Sequence, residues 1–314
     1  MSSDALPTGA HVRPPRAIKA LGAVCMLTAL SASCGTPAGP APRMYPLTGR
    51  TRMVELTAQD VRWEVGPSAI YNAWTYNGTI PGPVIDAVAG DRIVIRLSNP
   101  TAHPVSIHTH LVEFAQSEDG ADLPSIAMPG QTITVTWTPR YAMTVPYHDH
   151  ATHEGVRRGL VGALVVHAPD ERPATEHVVV LSDLDSAEFA QLPGVADPVT
   201  GMIPAGGTFR GPHQYMHVIN GKAYEESIAP YMGRVGSLSR WRVVSIGVEA
   251  HTWHIHGHRW VDADGTLTDN IQLSPGTYRT FELTPELPGN WMVHCHFPNH
   301  AEGGMVTRYV VAPQ

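Results

Sequence analysis

The chain has 314 residues, enough for two domains of ordinary size. Charged residues make up only 16%, against 29 glycines and 28 prolines, a balance that favours a turn-rich, all-β protein over a helical one. A formal charge of -7 offers no basic groove and argues against nucleic acid as a partner. Histidine is the outlier at 18 residues, and it is clustered.

The chain opens on what reads as an export signal. Arg13, Arg16 and Lys19 precede an apolar core, Leu21 to Leu30, too short to span a bilayer comfortably. Ser31, Ala32 and Ser33 then lead to Cys34 and Gly35, which resembles a bacterial lipoprotein cleavage site with its leucine, Leu30, one position early. The expected outcomes are a lipid anchor at Cys34 or simple cleavage and release, with a periplasmic or extracellular destination in both cases. No paired arginines support the twin-arginine route. Residues 36–43, rich in Pro, Ala and Gly, read as a flexible tether.

Beyond the tether, short β-branched runs alternate with turn signals, as in a β-sandwich. Strands are expected at 92–97, 131–137, 163–166, 177–181 and 241–246. The proline-rich join near Pro169 to Pro173 marks a boundary, giving a signal and tether over 1–43 and domains over 44–170 and 171–314. An internal repeat supports that division. Val105, His108 and His110 line up with His251, His254 and His256, and His148 with His150 lines up with His294 and His296. Each set is followed by a glycine-containing segment and a final strand.

Successive side chains on a strand point to opposite faces, so histidines at i and i+2 share one face. His108 with His110, His148 with His150, His254 with His256 and His294 with His296 thus form four same-face pairs. Cys295 lies between His294 and His296, so its sulfur faces the other way and one strand can feed two metal sites. Cys25 and Cys34 sit in the N-terminal segment, which leaves Cys295 no disulfide partner in the body of the protein. His300 follows Cys295 by five residues and Met305 follows His300 by five; His251 completes the set. Two imidazoles, a thiolate and a weak axial methionine make a type 1, or blue, copper site. Zinc has no use for the methionine, and no H-E-x-x-H is present for a zinc hydrolase.

With these motifs, together with Asn77-Gly-Thr-Ile-Pro-Gly-Pro-Val, the chain resembles the multicopper oxidases, and within them the two-domain, small-laccase branch. The resemblance runs from Asn77 to Met305. It implies two cupredoxin-like Greek-key β-sandwich domains and four coppers per subunit. By position, His251, Cys295, His300 and Met305 would bind type 1 copper, His108 and His254 type 2, and His110, His148, His150, His256, His294 and His296 the type 3 pair. Val105 and Asp149 stand where the second domain has His251 and Cys295, so the first domain would lack type 1 copper. Copper nitrite reductases keep that site in the first domain and fit poorly. His258, His153 and His103 are read as supporting residues rather than ligands.

The resemblance further implies dioxygen as acceptor, a small aromatic reductant such as a phenol or aromatic amine, and a head-to-tail homotrimer with clusters between neighbouring subunits. Electrons would enter near an exposed edge of His251 or His300 and pass through Cys295 to His294 and His296. Asp119 is the candidate proton carrier. Leu111 and Phe114 depart from the glycine and tyrosine common in relatives, and Phe114 has no phenol to share in redox steps. The alternatives are a copper-tolerance protein that oxidises cuprous ions and a pure electron carrier; the second leaves eight histidines unexplained.

Overall fold

The computed structural model describes residues 42–191 and 215–314. The export segment and Cys34 lie outside these residues. Among the described residues no helix is long and apolar enough to cross a membrane.

Among the described residues the regular structure is almost all strand, and each expected run forms one: Arg92–Ser98, Thr132–Trp137, Val161–His167, Thr175–Asp185 and Ser239–Ser245. Alternation explains the first of them. Ile93, Ile95 and Leu97 point into the core while Arg92 and Arg96 stay in solvent.

The repeat read from the sequence is a repeat of topology. In the first half, Thr51–Gly66 pairs antiparallel with Ala69–Tyr76 and parallel with Arg92–Ser98, which pairs with Thr132–Trp137. In the second, Thr175–Asp185 pairs antiparallel with Tyr215–Ile219 and parallel with Ser239–Ser245, which pairs with Tyr278–Leu283. The facing sheets repeat as well. Val161–His167 lies between Ile85–Val88 and Met143–His148, and Val306–Ala312 lies between Tyr231–Arg234 and Gly289–His294. Phe189–Gln191 breaks the symmetry by pairing with Ala69–Tyr76 at the edge of the first-half sheet.

Three apolar clusters hold these layers. One fills the first half around Trp137, Ile95 and Tyr147, and one fills the second around Trp241, Trp253 and Phe281. A third joins the halves, packing Val65, Tyr71 and Val161 against Val180, Val218 and Val244. Beside it runs a polar latch. The buried Arg242 reaches Glu171 and Glu176, and donates to Thr144 Oγ1 in the first half at 3.2 Å.

Candidate metal centres

Two histidine quartets form at matching places in the two halves. His108 lies directly across from His148, and His254 directly across from His294, each on an antiparallel strand pair. Each pair is oriented by its own backbone. His148 Nδ1 donates to the Asp149 carbonyl at 2.9 Å, and His294 Nδ1 donates to the Cys295 carbonyl at 2.7 Å. His108 Nδ1 donates to the Asp119 carbonyl at 2.7 Å, and His254 Nδ1 to the Asp269 carbonyl at 2.8 Å. A carbonyl only accepts, so these rings carry their proton on Nδ1 and present a bare Nε2 lone pair.

Those lone pairs converge. His148 Nε2 lies 3.3 Å from His110 Nε2, and His294 Nε2 lies 3.1 Å from His256 Nε2. Two imidazole nitrogens about 2.0–2.1 Å from one metal at a tetrahedral angle sit about 3.3 Å apart. Burial and the neighbouring rings also hold these groups neutral. His148 is pushed down to about 4, chiefly by burial, and His110, His256 and His294 are lowered in the same way. His150 and His296 complete the quartets, with ring centroids 5.3 Å from His108 and 5.2 Å from His254. Among the described residues, the ring–ring contacts of each quartet stay within its own half, while the His110 ring also meets the backbone of Gly276 in the second.

The side of the strand away from His294 and His296 carries the other site. Cys295 is fully buried in the second core with His251 and Met305, and His300 is supplied by the short helix Pro298–Glu302. Cys295 Sγ is 3.6 Å from His300 Nδ1 and accepts the Thr252 N–H at 3.3 Å. Met305 is tied in by its backbone, which accepts from Cys295 N and donates to the His300 carbonyl. Burial alone would raise the Cys295 thiol; the adjoining imidazoles of His251 and His300 outweigh it and bring the group down to about 5, so a thiolate forms readily. Burial would also lower His251, but Asp183 and the cysteine raise it to about 9. His251 Nε2 approaches Asp183 Oδ1 to 3.0 Å off the line of a good hydrogen bond, and both of its buried ring nitrogens lack an aligned partner. A thiolate and an orphaned imidazole nitrogen in a buried pocket are the donor set a soft, redox-active ion takes.

The exposed edge expected on His251 or His300 is absent. His251 is fully buried and the His300 side chain is 4% exposed, because Glu249 covers His300 Nε2 at 3.2 Å and the His217 ring stacks on His300. Spacing alone missed His217, Asp183 and Glu249. They reach the site from strands and turns far along the chain, and no motif marks them.

His217 shares a candidate metal trio with His251 and His300, yet it does not ligate. Its ring lies nearly parallel to His300 at 3.6 Å, so their in-plane lone pairs cannot meet on one ion, and its Nδ1 donates to Asp183. His167, Glu171 and Glu176 also cluster, but Arg240 and Arg242 already neutralise them.

In the first half the matching position holds no donor set. Asp149 is buried, with Oδ1 accepting from Ser106 N at 2.7 Å and Oδ2 from Thr152 N at 3.1 Å, while Val105 fills the place of the first imidazole. Asp119 Oδ1 lies 3.1 Å from His108 Nδ1. Its counterpart, which sequence reading passed over, is Asp269, 3.7 Å from His254 Nδ1. His258 is buried and holds the His256 carbonyl through Nδ1, whereas His103 pairs with Asp60 and stacks on Trp74. A cavity of about 890 Å³ opens beside His108 and His110, bordered by Phe114, Asp262 and Arg279. Leu111 stands at it with φ 57°, a left-handed conformation costly for a branched side chain and natural for the glycine expected there.

Two family models, both described as multicopper oxidase, match residues 57–171 and 198–314. The chain is 28% identical over 290 residues to a probable nitrite reductase-hydroxylamine oxidoreductase fusion protein of Kuenenia stuttgartiensis, covering 84% of this chain and 32% of that protein. It is 29% identical over 264 residues to ceruloplasmin of Mus musculus, covering 74% and 24%. The chain thus spans about a third or less of these curated relatives. Among solved structures, a blue copper oxidase from Nitrosomonas europaea superposes with a TM-score of 0.70 at 26% identity, covering 83% of this chain and 86% of that one.

Proposed function

The chain belongs to the multicopper oxidase family and is a copper-dependent oxidoreductase, and from that premise we propose that it oxidises small phenols or aromatic amines one electron at a time and reduces dioxygen to water. The observation that carries this reading is the paired geometry: two quartets with converging Nε2 lone pairs, and a buried thiolate site on the back of one of their strands.

His251, Cys295, His300 and Met305 would hold type 1 copper. His108 and His254 would hold type 2, and the other six histidines the type 3 pair, for four coppers per subunit equivalent. Bound copper supplies the one-electron redox chemistry. The chain supplies the wiring: Cys295 is covalently continuous with His294 and His296, so its sulfur and the quartet are joined through the backbone. Asp119, beside the ring of His108, is placed to hand a proton to the oxygen-reducing side.

Each quartet carries half of the ligands, and each stays within its own half of the chain. A head-to-tail homotrimer would place the first quartet of one subunit against the second quartet of the next and leave no interface open. Export, with or without a lipid at Cys34, belongs to the same proposal on the strength of the sequence.

A second reading, oxidation of cuprous ions in copper tolerance, is favoured by one observation. The carboxylate of Glu249 is partly exposed and sits on the outer nitrogen of His300, where a cationic donor would dock. Comparing kcat/KM for aromatic donors and cuprous ion in the native protein and in Glu249→Gln separates the two; a selective loss with the cation favours the second reading.

The test of the main reading is optical. Copper-loaded protein is reduced without air, then oxygen is admitted while the blue absorption is followed. Return of the band with oxygen uptake supports the proposal. A band that stays bleached points to an electron carrier, and no band in fully loaded protein sinks the assignment.

A further inference from the structure

Resting on that reading, we propose that Asp183 and His217 form a buried clamp that orients both imidazoles of the blue site and lowers its reduction potential. Asp183 is fully buried on Thr175–Asp185, and His217 is its cross-strand partner on Tyr215–Ile219. Asp183 Oδ1 accepts from His217 Nδ1 at 2.7 Å and lies 3.0 Å from His251 Nε2. Asp183 Oδ2 accepts from Val248 N at 2.8 Å and Glu249 N at 3.0 Å. One carboxylate therefore reaches both copper histidines. It touches His251 directly. It holds the ring that stacks on His300, and it fixes the backbone of Glu249, whose side chain takes His300 Nε2.

The tautomers follow from these contacts. A proton on His251 Nε2, facing the carboxylate, leaves Nδ1 free on the metal side. A proton on His300 Nε2, facing Glu249, does the same for its Nδ1, which already points at Cys295 Sγ. A carboxylate behind a ligand N–H raises the basicity of the ligand and favours the more highly charged metal. Gly247 belongs to the clamp, since a Cβ there would stand 2.3 Å from Asp183 Oδ2.

The first half supplies the control. Leu56 and Ala58 face the first core as Val179 and Leu181 line the buried side in the second. In that phase Asp183 corresponds to Asp60 and His217 to Trp74, its cross-strand partner. Yet the Asp60 side chain is 52% exposed and engages His103. Where the thiolate site is missing, the carboxylate has not been buried behind a ligand. The clamp and the blue site occur together.

The experiment measures the reduction potential and the blue band of the copper-loaded protein alongside thermal stability. Asp183→Asn keeps the shape and removes the charge; the expected result is a potential raised by at least about 59 mV, a tenfold shift toward the reduced state for one electron. A second pair guards against a folding defect. His217→Asn keeps a donor to Asp183 and should shift the potential less than His217→Phe, which keeps the stack but removes the donor. Asp183→Asn and His217→Phe proteins that lose stability but keep the native potential and band would overturn the clamp and leave a purely structural pair. A native protein with no blue band would sink the copper reading itself, a result distinct from the first.

Discussion

The two halves carry the same histidine strands at the same cross-strand register, but only the second carries a buried cysteine. His148 and His294 each donate Nδ1 to the carbonyl of the next residue, which is Asp149 in one half and Cys295 in the other. The contact uses the backbone, so it is indifferent to the side chain that follows. That is why a half can lack the cysteine and still aim its quartet. In the first half a set of hydrogen bonds occupies that place. Asp149 bridges Ser106 and Thr152 where Cys295, His251 and His300 converge in the other half.

Substitution at the two central residues should break this comparison most sharply. Cys295→Ser is expected to abolish the blue absorption, bring oxidase turnover to background and lower bound copper by one per chain, with the quartets still loaded. Asp149→Asn should keep the blue band. It turns an accepting oxygen into a donor that faces the Thr152 N–H, at a cost of about 1–3 kcal/mol. Copper analysis and denaturant unfolding of both variants check the pair.

A smaller effect separates Asp119 from Asp269. Asp119→Asn should cut turnover about tenfold and displace the pH profile, as loss of a partner behind a ligand histidine does. Asp269→Asn, with its carboxylate farther off and more exposed, should do less. Steady-state oxygen uptake across pH reads both, and an unchanged Asp119→Asn profile would end its proton role.

The smallest effect concerns the latch between the halves. Burial would raise Glu171, but His167 and Arg242 outweigh it and hold the carboxyl below its usual range. Its folded-state value lies below the unfolded one, so its stabilisation is present near neutral pH and is lost as pH falls below the ordinary value of about 4.5. Glu171→Gln should therefore lower the unfolding midpoint at pH 7, and the gap between native and variant should narrow as the pH falls below about 4.5.

Much of this was legible in the chain. Histidines two apart on β-branched runs give same-face pairs whatever the fold, and the doubled motif gave the repeat that the strand pairing displays. Asp183, His217 and Glu249 were not legible, because they reach His251 and His300 only through sheet pairing and a turn closed by Gly247. The pairing of Phe189–Gln191 with the first-half sheet was hidden for the same reason: it depends on a long return of the chain rather than on local pattern. The buried state of His300 also escaped the sequence, since covering it takes a carboxylate 51 residues away.

The most direct test of the central claim, that one oxygen-reducing copper centre is built from a first quartet and a second quartet on neighbouring subunits, is complementation. His148→Ala disables the first quartet and His294→Ala the second, so each variant alone should consume no oxygen. Co-assembled in equal amounts, they should recover roughly a quarter of native oxygen uptake, because random head-to-tail pairing leaves that share of interfaces intact. Recovery would establish that the centre is shared between subunits. Two well-folded, copper-binding variants that stay inactive when co-assembled would contradict it.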